Sequence, residues 1–395
     1  MKKIIINNDN EKSTIIVLED GKIIEQYQEF FDNKTIEGNI YIGKVVSVLP
    51  GMQAAFVDIG EEKNAFLHIK DVLPKSSDIT GNRNEKLSKS DIKEFVNVGM
   101  PIIVQIKKDK IETKGARIST NLNIPGRYVA LIPNSNFITV SNKIENIKEI
   151  NRLKNIINNI KPNLKEQYGF VVRTAAFGKS EKEIYNDIKK VDNIYNEILQ
   201  KSDEYLKSNK YPQKVFEIGG IVNKILLGLI EDVDSIIVND QEVFKFIEKE
   251  YPEFKNIISL ENSKNIFSED IVAQIEKLKN RKIWLKCGGF ITIDRTEALT
   301  AIDVNTGKYT GNENLEETVL KVNEEASVEI AKQLRARDIG GIIIIDYIDM
   351  EEKESETKIV KILEKELKKD RAKTQVIGFT PLHLLEMTRK HLYSN

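Results

Sequence analysis

One short apolar run restricts the possible folds more than any other segment: Gly340-Gly-Ile-Ile-Ile-Ile-Asp346. A continuous apolar run of this length is typical of a strand that is buried on both faces, as in α/β proteins. Functional sites of such proteins lie at the carboxyl ends of their strands. The run therefore predicts an α/β sheet with the charge of Asp346 at the position where chemistry is expected.

A second predicted strand also ends in an aspartate. It runs from Ala298 to Asp303 and is followed by Val-Asn305-Thr-Gly. If the two strands are neighbours, Asp303 and Asp346 converge, which is costly unless a cation or a shared proton compensates them. Mg²⁺ binds through one or two carboxylates while keeping waters and meeting a phosphate, and Asn305 could orient a water or a phosphate oxygen. The alternative is that both aspartates begin turns or cap the following helices.

Composition excludes several classes of protein. One cysteine permits no internal disulfide, and with three histidines a Cys/His zinc site within one chain is not expected, so a metal would need oxygen ligands. The 60 Lys and Arg balance 61 Asp and Glu, so a nucleic-acid site has to be a local patch. No apolar run approaches the ~18 residues that cross a bilayer, and the first residues lack a signal-peptide core. A cytoplasmic protein is predicted.

Four segments carry a resemblance to a known family. They are Gly288-Gly-Phe-Ile-Thr-Ile-Asp-Arg-Thr-Glu-Ala-Leu-Thr-Ala-Ile-Asp-Val-Asn-Thr-Gly307, Leu315-Glu-Glu-Thr318, Arg335-Ala-Arg-Asp-Ile-Gly-Gly-Ile-Ile-Ile-Ile-Asp346 and Tyr347-Ile-Asp-Met350. Together they resemble the RNase E/G family of bacterial endoribonucleases. The resemblance implies that Asp303 and Asp346 hold a catalytic Mg²⁺ and that Asn305 assists them.

Residues 38–120 contain short β-rich segments separated by turns, which predict a small β-barrel interrupted by a long exposed loop at 74–94. The segment Gly38 to Gly60 resembles the RNA-binding OB module of the same family. The resemblance implies that Phe56 and Phe66 stack on a base of single-stranded RNA and that Lys114 makes a basic contact. The alternative for both phenylalanines is an ordinary place in the core.

The segment Gly169-Phe-Val-Val-Arg-Thr-Ala-Ala-Phe-Gly-Lys-Ser180 contains the Gly-Lys-Ser of a phosphate-binding P-loop. The P-loop interpretation fails, because the first glycine of that motif would fall at Arg173. The segment instead resembles the family's pocket for a 5′-terminal phosphate. This implies a guanidinium fork from Arg173 and a hydroxyl from Thr174 on the monophosphate. The alternative is a structural arginine at a strand end.

Taken together, the patterns and the resemblance predict an α/β multidomain protein. Its predicted parts are an RNase H-like scaffold split between residues 1–37 and 214–280, the OB-fold RNA-binding domain at 38–120, a 5′-sensor region at 121–213, and a DNase I-like catalytic domain at 281–395.

The sequence departs from the family in two places. The family's core normally continues past the Leu384 to Arg389 motif into a Cys-Pro-x-Cys zinc link and a small domain, whereas this sequence ends at Asn395. A monomer, or a dimer that does not depend on zinc, is therefore expected. Residues 265–276 keep only part of the family pattern, and no functional residue is assigned there.

The resemblance implies a Mg²⁺-dependent endoribonuclease that cuts single-stranded RNA in rRNA and tRNA processing and mRNA decay. It would leave 5′-phosphate and 3′-hydroxyl ends, favour 5′-monophosphorylated RNA, and have rRNA precursors and mRNA as partners. One alternative is an RNA-binding protein without activity, which the intact set of Asp303, Asn305 and Asp346 argues against. A metal-dependent DNase is the other alternative, and the RNA-reading parts argue against it.

Overall fold

The computed structural model describes residues 1–32, 34–72, 91–110, 114–133, 135–164, 168–229, 233–307 and 315–392. The chain forms two compact units. The first consists of residues 1–34 and 232–395, and the second of residues 35–231. The first unit is therefore built from both ends of the sequence. Within the described residues, no helix is long and apolar enough to cross a membrane.

The strands, in chain order, are β1 (Lys2–Asn8), β2 (Lys12–Glu19), β3 (Lys22–Phe30), β4 (Ile40–Leu49), β5 (Ala54–Asp58), β6 (Ala65–His68), β7 (Pro101–Lys108), β8 (Arg117–Ser119), β9 (Ile124–Pro125), β10 (Val129–Ile132), β11 (Ile138–Val140), β12 (Gly169–Val172), β13 (Gln213–Phe216), β14 (Ser235–Val238), β15 (Ile258–Leu260), β16 (Lys282–Trp284), β17 (Phe290–Arg295), β18 (Leu299–Asn305), β19 (Gly341–Asp346), β20 (Thr374–Phe379) and β21 (Leu384–Arg389). The α-helices are α1 (Ile147–Ile160), α2 (Glu181–Lys207), α3 (Ile221–Gly228), α4 (Gln241–Glu250), α5 (Glu269–Lys277), α6 (Leu315–Ala336) and α7 (Lys353–Leu367).

A five-stranded sheet in the order β15-β14-β1-β2-β3 opens the first unit. Its β2–β3 hairpin turns at Asp20 and Gly21, which have φ angles of 48° and 77°. Positive φ at both central residues is what an Asp-Gly pair favours, which explains why the hairpin turns here. The central strand β1 pairs in parallel with β14, with Ile4 beside Ile236. This pairing joins the two distant parts of the sequence.

The six-stranded sheet of the first unit has the order β16-β17-β18-β19-β21-β20, and only β18 and β19 run in parallel. One face carries Ile302, Ile343 and Ile345, which are buried against α6 and α7 in a single apolar cluster. The other face is open at β19, where Ile342 is 52% exposed. The expectation that this strand is buried on both faces is wrong, because both helices pack on the same side of the sheet.

A buried ion-pair network holds one end of this sheet. The Arg389 side chain is fully buried; its Nε donates to Asp370 and its Nη1 to Asp338, each at 2.7 Å, and Nη1 also donates to the Ile339 carbonyl. Burial alone would lower the pKa of Arg389, but the hydrogen bonds and charges of the two aspartates raise it overall. The network therefore fixes β21 to the turn that leads into β19.

The second unit contains a closed barrel of the strands β4, β5, β6, β8 and β7, in which β4 pairs with both β5 and β7, and β13 lies beside β4. Its interior is apolar and includes Val57, Leu67 and Ile118. The closed barrel confirms the predicted OB-like fold at this level. Most of the predicted loop at 74–94 lies outside the described residues.

A smaller sheet in the order β11-β12-β10-β9 packs with α1 and α2 in the same unit. The buried carboxylate of Asp187 on α2 accepts hydrogen bonds from the backbone N–H groups of Arg127, Tyr128 and Val129. A side chain at Gly126 would collide with this carboxylate. The turn before β10 is thereby fixed on α2. The overall fold is mixed α/β, and the finer five-part division stays a prediction.

Candidate active site and RNA-binding surfaces

Asp303 and Asp346 are direct partners in the parallel pair of β18 and β19. Their side chains are exposed, whereas the neighbouring residues Ile302, Val304 and Ile345 are buried against the helices. Because successive side chains of a strand point to opposite faces, both carboxylates lie on the open face of the sheet. The structure therefore brings the two predicted aspartates together.

Asn305 belongs to the same face, two residues beyond Asp303. Its side-chain Nδ2 donates to Asp303 Oδ2 at 2.5 Å, which fixes the orientation of both groups. Although the Asp346 side chain is exposed, the surrounding protein partly desolvates its carboxylate and raises its pKa, and the negative charges of Asp303 and Asp349 raise it further. The folded protein therefore holds two carboxylates in repulsion, as the sequence predicted for this pair.

The donor set suits a hard cation in an open site. The described residues contain no group of three or more His, Cys, Asp or Glu side chains that could hold a metal ion. A closed structural metal centre is thus not formed by them. Two carboxylates with a neighbouring amide fit Mg²⁺, which takes few protein ligands and keeps several waters.

Helix α6 fixes the segment that follows Asp346. Asn323, which is fully buried, accepts a hydrogen bond from the Ile348 N–H at 3.2 Å and donates to the Ile348 carbonyl at 2.9 Å. One turn later, Ser327 Oγ lies 2.8 Å from the Tyr347 hydroxyl, whose burial raises its pKa. Sequence reasoning did not identify these supporting residues, although their i, i+4 spacing on one helix face could have suggested a shared role.

A glycine lies two residues beyond Asn305, where the backbone passes close to that of Gly288. Gly307 has a φ of 59°, and a side chain there would collide with the carbonyl oxygen of Gly288. The positive φ and the close approach of the two backbones both require glycine at this position.

Phe56 and Phe66 form a pair on the barrel. They are register partners in β5 and β6, with ring centroids 5.8 Å apart in an edge-to-face arrangement. Both are partly exposed and belong to the face opposite the buried Val57 and Leu67. The core alternative is therefore not supported. His68 extends the row, with its ring 6.4 Å from that of Phe66, and was missed although its two-residue spacing from Phe66 could have indicated it.

The basic groups near this row are partly neutralised. Lys114 is exposed. Arg117, the register partner of Phe66, forms an ion pair with Asp71 at 2.7 Å, and Lys110 lies 3.7 Å from the Glu61 carboxylate. Exposed pairs of this kind contribute little to stability, so they leave the arginine able to exchange partners.

Arg173 and Thr174 lie directly after β12 in the smaller sheet. The Arg173 N–H donates to the Tyr128 carbonyl at 2.8 Å, and its guanidinium Nη1 donates to the Gly126 carbonyl at 2.6 Å. The Thr174 hydroxyl lies 2.9 Å from the Ser141 hydroxyl, which adds a polar group that sequence reasoning missed. Backbone carbonyls thus hold Arg173, and the Ser141 hydroxyl contacts the adjacent Thr174.

The Gly-Lys-Ser segment that follows leads into helix α2, and its serine is the N-cap of that helix. Ser180 caps α2 reciprocally with Glu183. The preceding loop is held by Glu149, which accepts from the Gly178 N–H and pairs with Arg152 at 2.7 Å. The Arg152 hydrogen bond lowers the pKa of Glu149 below its ordinary value. These contacts agree with the rejection of a P-loop.

The candidate site residues are divided between the two units. Asp303, Asn305 and Asp346 belong to the first, and the second contains Phe56, Phe66, Lys114, Arg173 and Thr174. Strand register pairs Asp303 with Asp346 and Phe56 with Phe66, whereas Arg173 and Thr174 follow a strand of a separate sheet.

Comparison with known proteins identifies the class of the protein. The sequence profile of the Ribonuclease E/G family matches residues 123–392. Ribonuclease G of Salmonella typhimurium strain SL1344 is 36% identical over 398 residues, covering 98% of this chain and 79% of the relative. Ribonuclease G of Haemophilus influenzae is 37% identical over 397 residues with the same coverage, and Ribonuclease E of a Nostoc strain is 34% identical over 91% of this chain and 52% of its own length.

These matches span both units and include the open sheet face with its two aspartates. The chain belongs to the Ribonuclease E/G family. The resemblance drawn from residues 288–350 is confirmed. The protein is of the endoribonuclease class, that is, a hydrolase that acts on RNA.

The repulsion between the two aspartates predicts a change in stability. A raised pKa means that the folded protein binds the proton of Asp346 more tightly than the unfolded chain does, so ionisation destabilises the fold as pH rises through the raised pKa. In the presence of a chelator at pH 7, Asp346→Asn should therefore raise the melting temperature slightly. The difference should shrink below about pH 4, where the aspartate is protonated in both states.

Asp294→Asn is the matched control, because Asp294 is exposed on the same sheet and its hydrogen bond from Arg281 lowers its pKa. This variant should not raise the melting temperature. A lower melting temperature for Asp346→Asn than for the wild type at pH 7 would contradict the predicted repulsion.

Proposed function

We propose that this chain is a Mg²⁺-dependent endoribonuclease of single-stranded RNA, active in rRNA and tRNA processing and in mRNA decay. The observation that carries the proposal is the register of β18 and β19, which pairs Asp303 with Asp346 on an open sheet face. Family membership supports the RNA-cleaving class. The open face gives a polymer access to the site.

Asp303 and Asp346 would hold the Mg²⁺, since they supply two oxygen ligands with an excess of negative charge. When bound, Mg²⁺ polarises a phosphate and promotes attack by water. Asn305, fixed by its hydrogen bond to Asp303, orients a water or a phosphate oxygen. Water adds to the phosphorus and the bond to the 3′-oxygen breaks. The upstream RNA leaves with a 3′-hydroxyl, which takes a proton, and the downstream RNA keeps a 5′-phosphate.

The second unit would bind the RNA. Phe56 and Phe66 present ring faces or edges on which bases can stack, and Lys114 supplies a positive charge for the backbone. Arg173 and Thr174 would bind a 5′-monophosphate, because a guanidinium fork and a hydroxyl match its oxygens. This pocket would favour RNA with a 5′-monophosphate end.

The finer structural labels are also proposals. The five-stranded sheet with its neighbouring helices would be the RNase H-like scaffold, and the six-stranded sheet would be the DNase I-like catalytic domain. Cys287 is the one cysteine among these 395 residues, so we propose that these residues form a monomer or a dimer without a shared structural zinc.

Loss of either aspartate should abolish cleavage. Asp303→Asn and Asp346→Asn each remove one charged metal ligand with little change of volume, so Mg²⁺-dependent cleavage of a labelled RNA should fall to background. RNA binding, measured by fluorescence anisotropy, should persist. Asp294→Asn, on the same sheet, should cleave like the wild type. Wild-type turnover by either active-site variant would reject the assignment, and RNA binding without any cleavage by the wild type would favour the inactive alternative.

The aromatic row of the barrel should contribute to affinity. Phe56→Ala should weaken binding of single-stranded RNA by ~1–3 kcal/mol, because one stacking surface is lost. Leu67→Ala is the control, since Leu67 is fully buried and its loss should cost ~2–5 kcal/mol of folding free energy. If Phe56→Ala instead destabilises the fold and binds RNA normally, the ring is structural.

Recognition of the 5′-monophosphate is assigned to Arg173. Arg173→Ala should bring the cleavage rates of 5′-monophosphorylated and 5′-hydroxyl RNA of one sequence close together, because the guanidinium that recognises the phosphate is gone. The comparison of the two RNAs within one variant controls for general loss of activity. An undiminished preference for the monophosphate would remove Arg173 from the sensor.

A further inference from the structure

An aromatic pair lies on the edge of the open sheet face that carries the candidate active site. Trp284, the one tryptophan of the sequence, is 56% exposed. Its ring centroid lies 5.3 Å from that of Phe290, with an angle of 63° between the rings. The Lys282 ammonium lies 4.2 Å from the Trp284 ring centroid and 3.5 Å from that of Phe290. The three side chains form one cluster, here called the indole cluster.

Strand register connects the indole cluster to the candidate catalytic residues. Trp284 pairs with Phe290, and Phe290 pairs with Asn305. One step along the same face, Asp303 is paired with Asp346 on the next strand. Because neighbouring strands lie about 4.8 Å apart, Trp284 is two strands, or roughly 10 Å, from Asn305. The indole and the carboxylates therefore belong to one continuous surface.

The chemistry of the cluster suits a nucleotide. An exposed indole offers a large flat apolar surface, and aromatic side chains next to a positive charge are what single-stranded nucleic-acid sites use. The Lys282 ammonium is held next to the two rings by cation–π attraction. A phosphate of the RNA backbone beside the indole can therefore contact this positive charge. A peptide partner would use the apolar surface alone and would gain nothing from the continuity with the carboxylates.

We propose that the indole cluster is a nucleotide-binding subsite of the active site. A base close to the scissile phosphate stacks on Trp284, while Lys282 contacts a backbone phosphate and Phe290 holds the indole in place. The proposal rests on the proposed function, since it takes the RNA substrate as its occupant. Stacking tolerates any base, so the subsite supplies affinity and position near the cut without selecting the base.

The sole tryptophan makes the test direct. Single-stranded RNA oligomers are titrated into the protein in the presence of EDTA, so that no cleavage occurs, and tryptophan fluorescence is recorded. We expect quenching that saturates at the same RNA concentration as the anisotropy of a labelled copy of the oligomer. A quench of this kind can come only from Trp284.

Substitutions separate stacking from general packing. Trp284→Ala should weaken RNA binding roughly 5- to 150-fold and raise KM with little change in kcat, whereas Trp284→Phe should restore most of the affinity. Lys282→Gln should reduce the salt dependence of binding, with the slope of log K against log salt smaller by roughly 0.7. Ile342→Ala is the matched control, since Ile342 is 52% exposed on the same face but at the far end of β19 from Asp346. It should bind RNA like the wild type.

Three outcomes would overturn the proposal. One is RNA binding by anisotropy without any change in tryptophan fluorescence. Another is unchanged affinity in a folded Trp284→Ala variant. The third is a fluorescence change that depends on protein concentration in the absence of RNA, together with a larger mass by light scattering, since a second copy would then cover the indole. Quenching by RNA without cleavage in Mg²⁺ would reject the proposed function and leave the subsite in place.

Discussion

The in-register pairing of β18 and β19 is the constraint on which the candidate active site depends. Asp303 faces Asp346 because the parallel strands are aligned by the residues between them, and Ile302 and Ile345 are buried on the helix side. If either strand slipped by one residue relative to the sheet, its own carboxylate would turn toward the apolar core. Burying an unpaired charge is very costly, so the alternation of side chains that packs the core also fixes the site geometry.

That geometry holds like charges together, and the surrounding structure has to oppose their repulsion. The Asp346 pKa is raised by burial and by the neighbouring aspartates, so the metal-free site is electrostatically unfavourable. The opposing contacts are buried: Asn323 binds both polar groups of the Ile348 backbone, and Ser327 bonds to Tyr347. Leaving such buried groups unpaired costs ~1–3 kcal/mol each, which is enough to hold a strand end against a solvent-screened repulsion.

Local patterns predicted much of this arrangement, and nonlocal packing accounts for the errors. The Asp20-Gly21 turn and the strands ending in Asp303 and Asp346 depend on neighbouring residues, so the sequence predicts them. The isoleucine run of β19 does not reveal whether helices cover one face or both, so its open face was not foreseen. The parallel pairing of β1 with β14 spans more than two hundred residues, and nothing local encodes it.

Aromatic side chains on strands are equally hard to assign from the sequence, because the local sequence does not show whether a ring lies in the core or on the surface. The folded protein shows which rings lie outside the core: Phe56 and Phe66 lie on the face opposite the barrel core, and Trp284 on the face opposite the helices. A cross-strand aromatic pair stabilises a sheet by only ~0.2–1 kcal/mol, whereas stacking on a base contributes ~1–3 kcal/mol. The proposed stacking on RNA would therefore contribute more free energy than these cross-strand ring pairs contribute to the fold. Because the β-sheet alternates its faces residue by residue, a strand can bury a small or branched residue and present a ring to the substrate one position away.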